Sequence, residues 1–219
     1  MVLKPSDVRA YYDRFGKKQD SQKFYEDPAL ADLVAHTAFE NAARVIEFGC
    51  GTGRFAEKLL REHLPTTATY VGCDLSRTMV DLATARLAKY SNRSSVVLSE
   101  NGVHLPLADN SVDSVISTYV LDLLSESDIK ELLNEASRVL DIDGRLCLVS
   151  LTRGPTMLSR TVSGLWNTVF RLHASLVGGC RPIRLENYLA PDRWEITYRN
   201  VVVAYGVPSE VLVALVRKS

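Results

Sequence analysis

From residue 43 the chain alternates between short, nearly continuous apolar runs and longer stretches with apolar residues at helical spacing. "ARVIEF" precedes "GRFAEKLLREHL", and "ATYVGCDL" precedes "RTMVDLATARLAKY" with Ser76 as its predicted cap. "SSVVLS" and "SVDSVIST" follow, then the helical "DIKELLNEASRVL" and a fifth run, "GRLCLVSL". Continuous apolar runs suit strands covered on both faces. Helices between them supply the crossovers that parallel strands need. Right-handed crossovers then lead to an α/β fold with a doubly wound, mostly parallel sheet. The end of the chain breaks this pattern. "WEITYRNVVVAYG" and "SEVLVALVRKS" are separated only by "VPS", too little for a crossover, so they predict a C-terminal antiparallel hairpin at one edge of a sheet of about seven strands. The first forty residues carry helical spacing, with Asp7 and Asp27 as predicted caps.

The 219 residues suffice for one domain with its own core. Equal numbers of basic and acidic side chains, 26 of each, leave no global field to recruit nucleic acid. "MVLKPSDVRAYYDRF" has no apolar stretch of the secretory type, and no run reaches the ~18 apolar residues of a membrane span. Cys50, Cys73, Cys147 and Cys180 show neither CxxC spacing nor a histidine cluster. The expectation is a cytoplasmic protein without disulfides or a bound metal.

The first strand ends in "VIEFGCGTGRF", with Glu47, Gly49, Gly51 and Gly53. In an open α/β sheet, ligands sit beyond the carboxyl ends of the strands where strand order reverses, and this loop is that place. A dinucleotide fingerprint would put its third glycine where Arg54 stands, and a phosphate loop would need a lysine that is absent here. Asp74, ending the second strand, is placed to accept from both hydroxyls of a ribose. Asn101, just past the third strand, is placed to read an adenine edge. A ligand with ribose and adenine but no pyrophosphate fits S-adenosylmethionine. Cys50, between the loop glycines, is either a small filler or a reactive thiol.

Taken together, "VIEFGCGTGRF", "YVGCDLS", "LPLADNSVDSVIST" and "RVLDIDGRLCLVSL" resemble, in order and spacing, the motifs of the class I S-adenosylmethionine-dependent methyltransferases. The style is that of the ubiquinone/menaquinone and small-molecule branch, and the resemblance covers roughly residues 44–152. It implies a Rossmann-like sheet, S-adenosylmethionine as methyl donor and S-adenosylhomocysteine as product. It further implies that Glu47 orients the loop or meets the methionine amino group, that Gly49, Gly51 and Gly53 pass under the cofactor, and that Asp74 holds the ribose. Leu75 and Met79 would pack on the adenine, Asn101 and Gly102 would meet its edge, and Thr118 and Tyr119 would face the methionine end and the acceptor. Tyr11 and Tyr12, in "YYDRF", would belong to a lid. The family commonly has Asp where Asn101 stands, and often histidines where this chain reads "VLDLL" with Asp122, so a histidine-based acceptor contact is not implied.

Four segments are expected: a helical lid over 1–43, a cofactor-binding core over 44–152, acceptor or cap helices over 153–192 and the hairpin over 193–219. Within the third, Leu158, Val162, Leu165, Trp166, Val169, Phe170, Leu176 and Val177 form an apolar stripe, and from Gly144 through Leu185 there is no acidic residue but six arginines. Three readings of 157–178 stay open: a plain covering helix, a cap over an apolar acceptor pocket, or a peripheral contact with an anionic bilayer. Tyr119, Asp122 and His173 are the candidate bases. The expected activity is methyl transfer to a small, apolar acceptor such as a quinone-like ring, a lipid or a thiol. The alternative is a catalytically silent protein that binds S-adenosylmethionine to regulate a partner.

Overall fold

A computed structural model describes residues 4–100, 102–154 and 179–218. Seven strands, β1 (Arg44–Phe48), β2 (Thr69–Asp74), β3 (Ser94–Leu98), β4 (Val112–Thr118), β5 (Leu140–Leu151), β6 (Trp194–Ala204) and β7 (Val207–Val216), form one sheet in the order β3-β2-β1-β4-β5-β7-β6. Strands β1 to β5 pair in parallel, and β7 enters antiparallel between β5 and β6. The α/β fold read from the alternating pattern is the observed one. Strand order reverses between β1 and β4, which places the crevice at their carboxyl ends.

The helices among the described residues are α1 (Pro5–Phe15), α2 (Lys23–Ala35), α3 (Arg54–Lys58), α4 (Arg77–Arg86) and α5 (Glu126–Val139). Alternation along each strand divides the core in two. Ile46, Val115, Leu146, Leu148 and Leu212 face the α5 side, where Ile129, Leu132, Leu133 and Ala136 supply an apolar stripe at helical spacing. Val45, Ile116, Cys147, Val149 and Val213 face the other side, under Ala29, Leu30 and Leu33 of α2 and Phe55 of α3. Both faces of the central strands are therefore buried, which is why they read as unbroken apolar runs.

Several local expectations change. Neither Asp7 nor Asp27 caps a helix: α1 starts after Lys4 with proline in its first turn, and α2 starts after Gln22 without a side-chain cap. Asp7 lies in the first turn of α1, where a carboxylate suits the helix dipole, and Asp27 pairs with Arg54. Ser76 does cap α4, accepting from the Met79 amide at 3.2 Å. α3 is short and passes into a π-helical turn over Leu59–His63. β5 begins at Leu140 rather than at Gly144, with a register irregularity against β4.

The hairpin reverses at Tyr205–Gly206, not at "VPS": Ala204 pairs with Val207, and the two turn residues have φ of 51° and 82°. Two consecutive positive φ values define a type I′ turn, whose twist matches the flanking strands. Val207 and Pro208 are thereby drawn into β7. Since β7 is an interior strand, its register fixes both core faces at that end of the sheet. We expect Gly206→Ala to destabilise the protein by about 1 kcal/mol and Tyr205→Asn to stabilise it slightly, measured by urea unfolding. Equal effects of the two substitutions would be incompatible with the type I′ geometry.

Candidate functional site

The chain leaves β1 through the glycine loop, whose backbone is held on β2. The Gly49 and Cys50 amides donate to the Cys73 carbonyl at 2.8 and 3.1 Å, and the Gly51 amide donates to Asp74 Oδ2 at 2.9 Å. Asp74 Oδ1 accepts from the Ser76 amide at 2.9 Å. Gly49 and Gly51 have φ of 76° and 54°, and a Cβ at Gly49 would overlap the Val120 side chain. Gly53 works differently. A Cβ there would come within 3.0 Å of the Ala83 backbone, so this glycine lets the start of α3 lie against α4.

A cleft of about 180 Å³ opens at this point. Gly49, Gly51, Asp74, Leu75, Met79 and Gly102 line one side, and Thr118, Tyr119 and Val120 close the other. A smaller, more polar cavity of about 40 Å³ adjoins it, sharing Gly49, Thr118, Tyr119 and Gln19 and adding Glu47, Glu26 and Arg54.

The N-terminal segment covers the loop through polar contacts. Asp13 accepts from the Ser76 hydroxyl and from the Thr78 amide. Asp20 accepts from the Thr52 hydroxyl and from Arg86, each at 2.6 Å, and Arg54 bonds Glu26 at 2.9 Å and pairs with Asp27. These contacts set the Gln19 amide over the loop, where its Oε1 would stand 2.7 Å from a Cβ at Gly51. That oxygen is buried and accepts no hydrogen bond among the described residues.

Of the residues singled out from sequence, the cleft brings together Tyr12, Gly49, Gly51, Asp74, Leu75, Met79, Gly102, Thr118 and Tyr119. Glu47 reaches only the smaller cavity, because it lies one residue inside the strand. Gly53 lines neither cavity, packing on Ala83 instead. Tyr11 stacks on Phe15 at 5.4 Å rather than lining the cleft. Asn101, His173 and the whole of 157–178 lie outside the described residues. Cys50 is buried beneath the loop, and burial pushes its thiol well above the ordinary range, which disfavours the thiolate.

Sequence reading missed Gln19, Val103, Leu123 and Asp128, all lining the cleft. "KKQDS" reads as a solvated polar stretch, and nothing local shows that it folds onto a glycine loop more than thirty residues away.

Three carboxyls around the site are buried and displaced. Burial pushes Glu47 up to about 7, against a single hydrogen bond from the Tyr70 hydroxyl at 2.6 Å. Burial also pushes Glu26 up to about 7, opposed by Arg54. Asp122 is fully buried and is pushed up to about 7 by burial, offset in part by its own amide, that of Leu151 and the Arg181 guanidinium. Asp74 is raised by burial but held by the amides of Ser76, Gly51 and Leu75.

A family model described as "Methyltransferase domain" matches residues 46–148. The chain is 25% identical to the demethylmenaquinone methyltransferase of Thermobifida fusca (strain YX), over 69% of this chain and 64% of that protein. It is 32% identical to the malonyl-[acyl-carrier protein] O-methyltransferase of Laribacter hongkongensis (strain HLHK9), over 70% of this chain and 52% of that protein. It therefore spans less than two thirds of the length of either relative. Among solved structures, magnesium protoporphyrin IX methyltransferase from Synechocystis PCC 6803, with bound S-adenosylhomocysteine, superposes with a TM-score of 0.63 at 19% identity, covering 96% of this chain and 85% of that one. At that identity the likeness is one of fold.

Glu47 makes the site measurable by pH. A carboxyl raised from 4.5 to about 7 keeps its proton in the native state after the unfolded chain has lost it. The native state then binds more protons, so stability falls as pH rises through that window and levels off above it. Glu26 and Asp122 act with the same sign. We expect Glu47→Gln to flatten the slope by at most about 3 kcal/mol between about pH 5 and 8 in urea unfolding. An unchanged slope would show that Glu47 is not held in this way.

Proposed function

We propose that the chain, which the methyltransferase-domain model matches over residues 46–148, acts as a class I S-adenosylmethionine-dependent methyltransferase and moves a methyl group from S-adenosylmethionine to a small, largely apolar acceptor. The observation that carries this reading is the cleft at the β1/β4 switch point, where a backbone stripped of side chains faces a carboxylate fixed by two amides.

The residues present suit the donor. In this reading Asp74 accepts from the ribose hydroxyls, and Leu75, Met79 and Val103 sandwich the adenine. Gly49 and Gly51 let the backbone approach the sulfonium side, and the Gln19 oxygen, at the junction of the two cavities and unpartnered among the described residues, accepts from the methionine ammonium. Glu47 supports the loop from the smaller cavity. Tyr12 closes the cleft from α1, so the segment before residue 44 serves as the lid. Bound donor supplies a methyl group already activated by a sulfonium. The protein's part is alignment and exclusion of water, which in well-oriented systems is worth about 7–11 kcal/mol.

The apolar walls at Val8, Val120, Leu123 and Leu124 support a small apolar acceptor. So do relatives named for demethylmenaquinone and malonyl-[acyl-carrier protein]. Among the described residues no helix is long and apolar enough to cross a membrane. The test is incubation with methyl-labelled S-adenosylmethionine and a cell extract, followed by partition of the label. Label in the organic phase supports the reading. Label confined to aqueous or protein fractions overturns the apolar acceptor, and tight cofactor binding with no label anywhere favours a silent binder.

Two substitutions separate the ends of the donor site. Asp74→Ala should weaken both S-adenosylmethionine and 5′-methylthioadenosine by about 1.5–3 kcal/mol in calorimetry, the scale of charge-assisted hydrogen bonds. Gln19→Ala should weaken only S-adenosylmethionine, which carries the amino-acid end. Equal losses for both ligands in Gln19→Ala would move Gln19 away from that end.

A further inference from the structure

Two aromatic side chains stand side by side in water. Phe24, in the first turn of α2, is 51% exposed, and Tyr205, at the tip of the β6–β7 hairpin, is 81% exposed. Their rings meet edge to face at 5.4 Å. Tyr205 has a φ of 51°, a conformation that suits glycine or asparagine and strains a tyrosine. With so little of its surface buried, packing does not repay that strain. A strained residue kept where an easier one would serve the turn points to a use outside the fold.

The pair stands at the end of the sheet where the cleft opens. Ser209 of β7 pairs with Leu151 at the carboxyl end of β5, and Ala204 pairs with Val207, so the hairpin tip lies beyond that end. Ring contacts continue inwards from it: Phe24 meets Tyr25 at 5.1 Å, Tyr25 meets Tyr119 at 5.8 Å, and Tyr119 lines the cleft. The chain around Phe24 is basic. Lys17 and Lys18 lie in the short 3₁₀ stretch Gly16–Gln22 that carries Gln19 over the glycine loop, and Lys23 immediately precedes Phe24. All three lysines are exposed, and none has an ion-pair partner among the described residues. The acidic residues of the same stretch are taken up: Asp20 pairs with Arg86 at 2.6 Å, and Glu26 and Asp27 pair with Arg54. Uncompensated positive charge therefore flanks the exposed rings.

We propose that Phe24, Tyr205 and the three lysines form a docking surface for an anionic lipid bilayer. Aromatic rings seat at the boundary between headgroups and acyl chains, and lysines meet the negative headgroups. The contact is peripheral, made by a hairpin tip and the start of a helix. A second copy of the chain suits this surface poorly, because in a two-fold contact the basic patch would meet itself. Docking sets the cleft close to lipid, so an apolar acceptor reaches it without passing through water. That consequence rests on the methyl-transfer reading above; the docking itself does not.

The test is flotation of the full chain with vesicles of phosphatidylcholine and phosphatidylglycerol in equal parts, compared with phosphatidylcholine alone. The native protein should float with the mixed vesicles, and added salt should release it. Replacing Lys17, Lys18 and Lys23 by glutamine should weaken binding about fivefold for each and about 10²-fold together. Phe24→Ser and Tyr205→Asn should each weaken it by about tenfold. Asparagine suits the turn better than tyrosine, so binding lost in Tyr205→Asn is not lost folding. Failure of the native protein to float with the mixed vesicles overturns the proposal. So does unchanged binding in the lysine and aromatic variants, which would locate the contact elsewhere. A dimer that Tyr205→Asn dissociates, without flotation of the native protein, gives the surface to a second copy instead. The readout needs neither donor nor acceptor, so failure of methyl transfer and failure of docking are separate results.

Discussion

The hydrogen bond from the Gly51 amide to Asp74, at 2.9 Å, joins the two strands on which the site depends. It requires β1 to end in a backbone without side chains, because Val120, Gln19 and Ala83 press on the three glycines from different directions. It also requires a carboxylate at the end of β2, raised by its burial and opposed by the amides of Ser76, Gly51 and Leu75. The order of the sheet follows the same constraint. Only at the switch between β1 and β4 do two crossovers diverge and leave a crevice into which the loop can open.

Around this joint the molecule buries carboxyls that an ordinary core would avoid. Glu47 has one tyrosine hydroxyl, Glu26 has one arginine, and Asp122 has no donor side chain among the described residues. Each is raised towards neutrality chiefly by burial. A fold selected for stability alone would replace such groups with apolar ones, since an unpaired buried charge costs more than the packing it displaces. Their clustering at the carboxyl ends of the strands, rather than along the sheet, marks that end as the working one.

Much of the fold was legible because both faces of the central strands are buried. Runs such as Val45–Phe48 and Leu146–Leu151 have no polar alternation to obscure them, and between them α4 and α5 have serine caps and α5 an apolar stripe. The elements that misread were those governed by short-range choices. The reversal at Tyr205–Gly206 was hidden because a tyrosine in the left-handed region is a poor turn signal, whereas "VPS" looks like one. Asp27 resembles a helix cap, yet the arginine that claims it comes from α3.

The candidate site divides in the same way. Gly49, Gly51, Asp74 and Met79 were identifiable because each lies at the end of a strand or in the loop or helix just after it, and the parallel pairing of β1 with β2 brings the two ends together. The sequence by itself therefore determined the parallel α/β class, the loop at the end of β1 and the carboxylate at the end of β2. The tertiary structure alone decided that Gln19 folds over Gly51, that Gly53 packs on Ala83 outside the cleft, and that Asp122 is sealed away from any donor side chain among the described residues. The reason is physical: whether a polar side chain is paired or stranded depends on groups brought together across tens of residues, and burial has no signature in a residue's own neighbourhood in the chain.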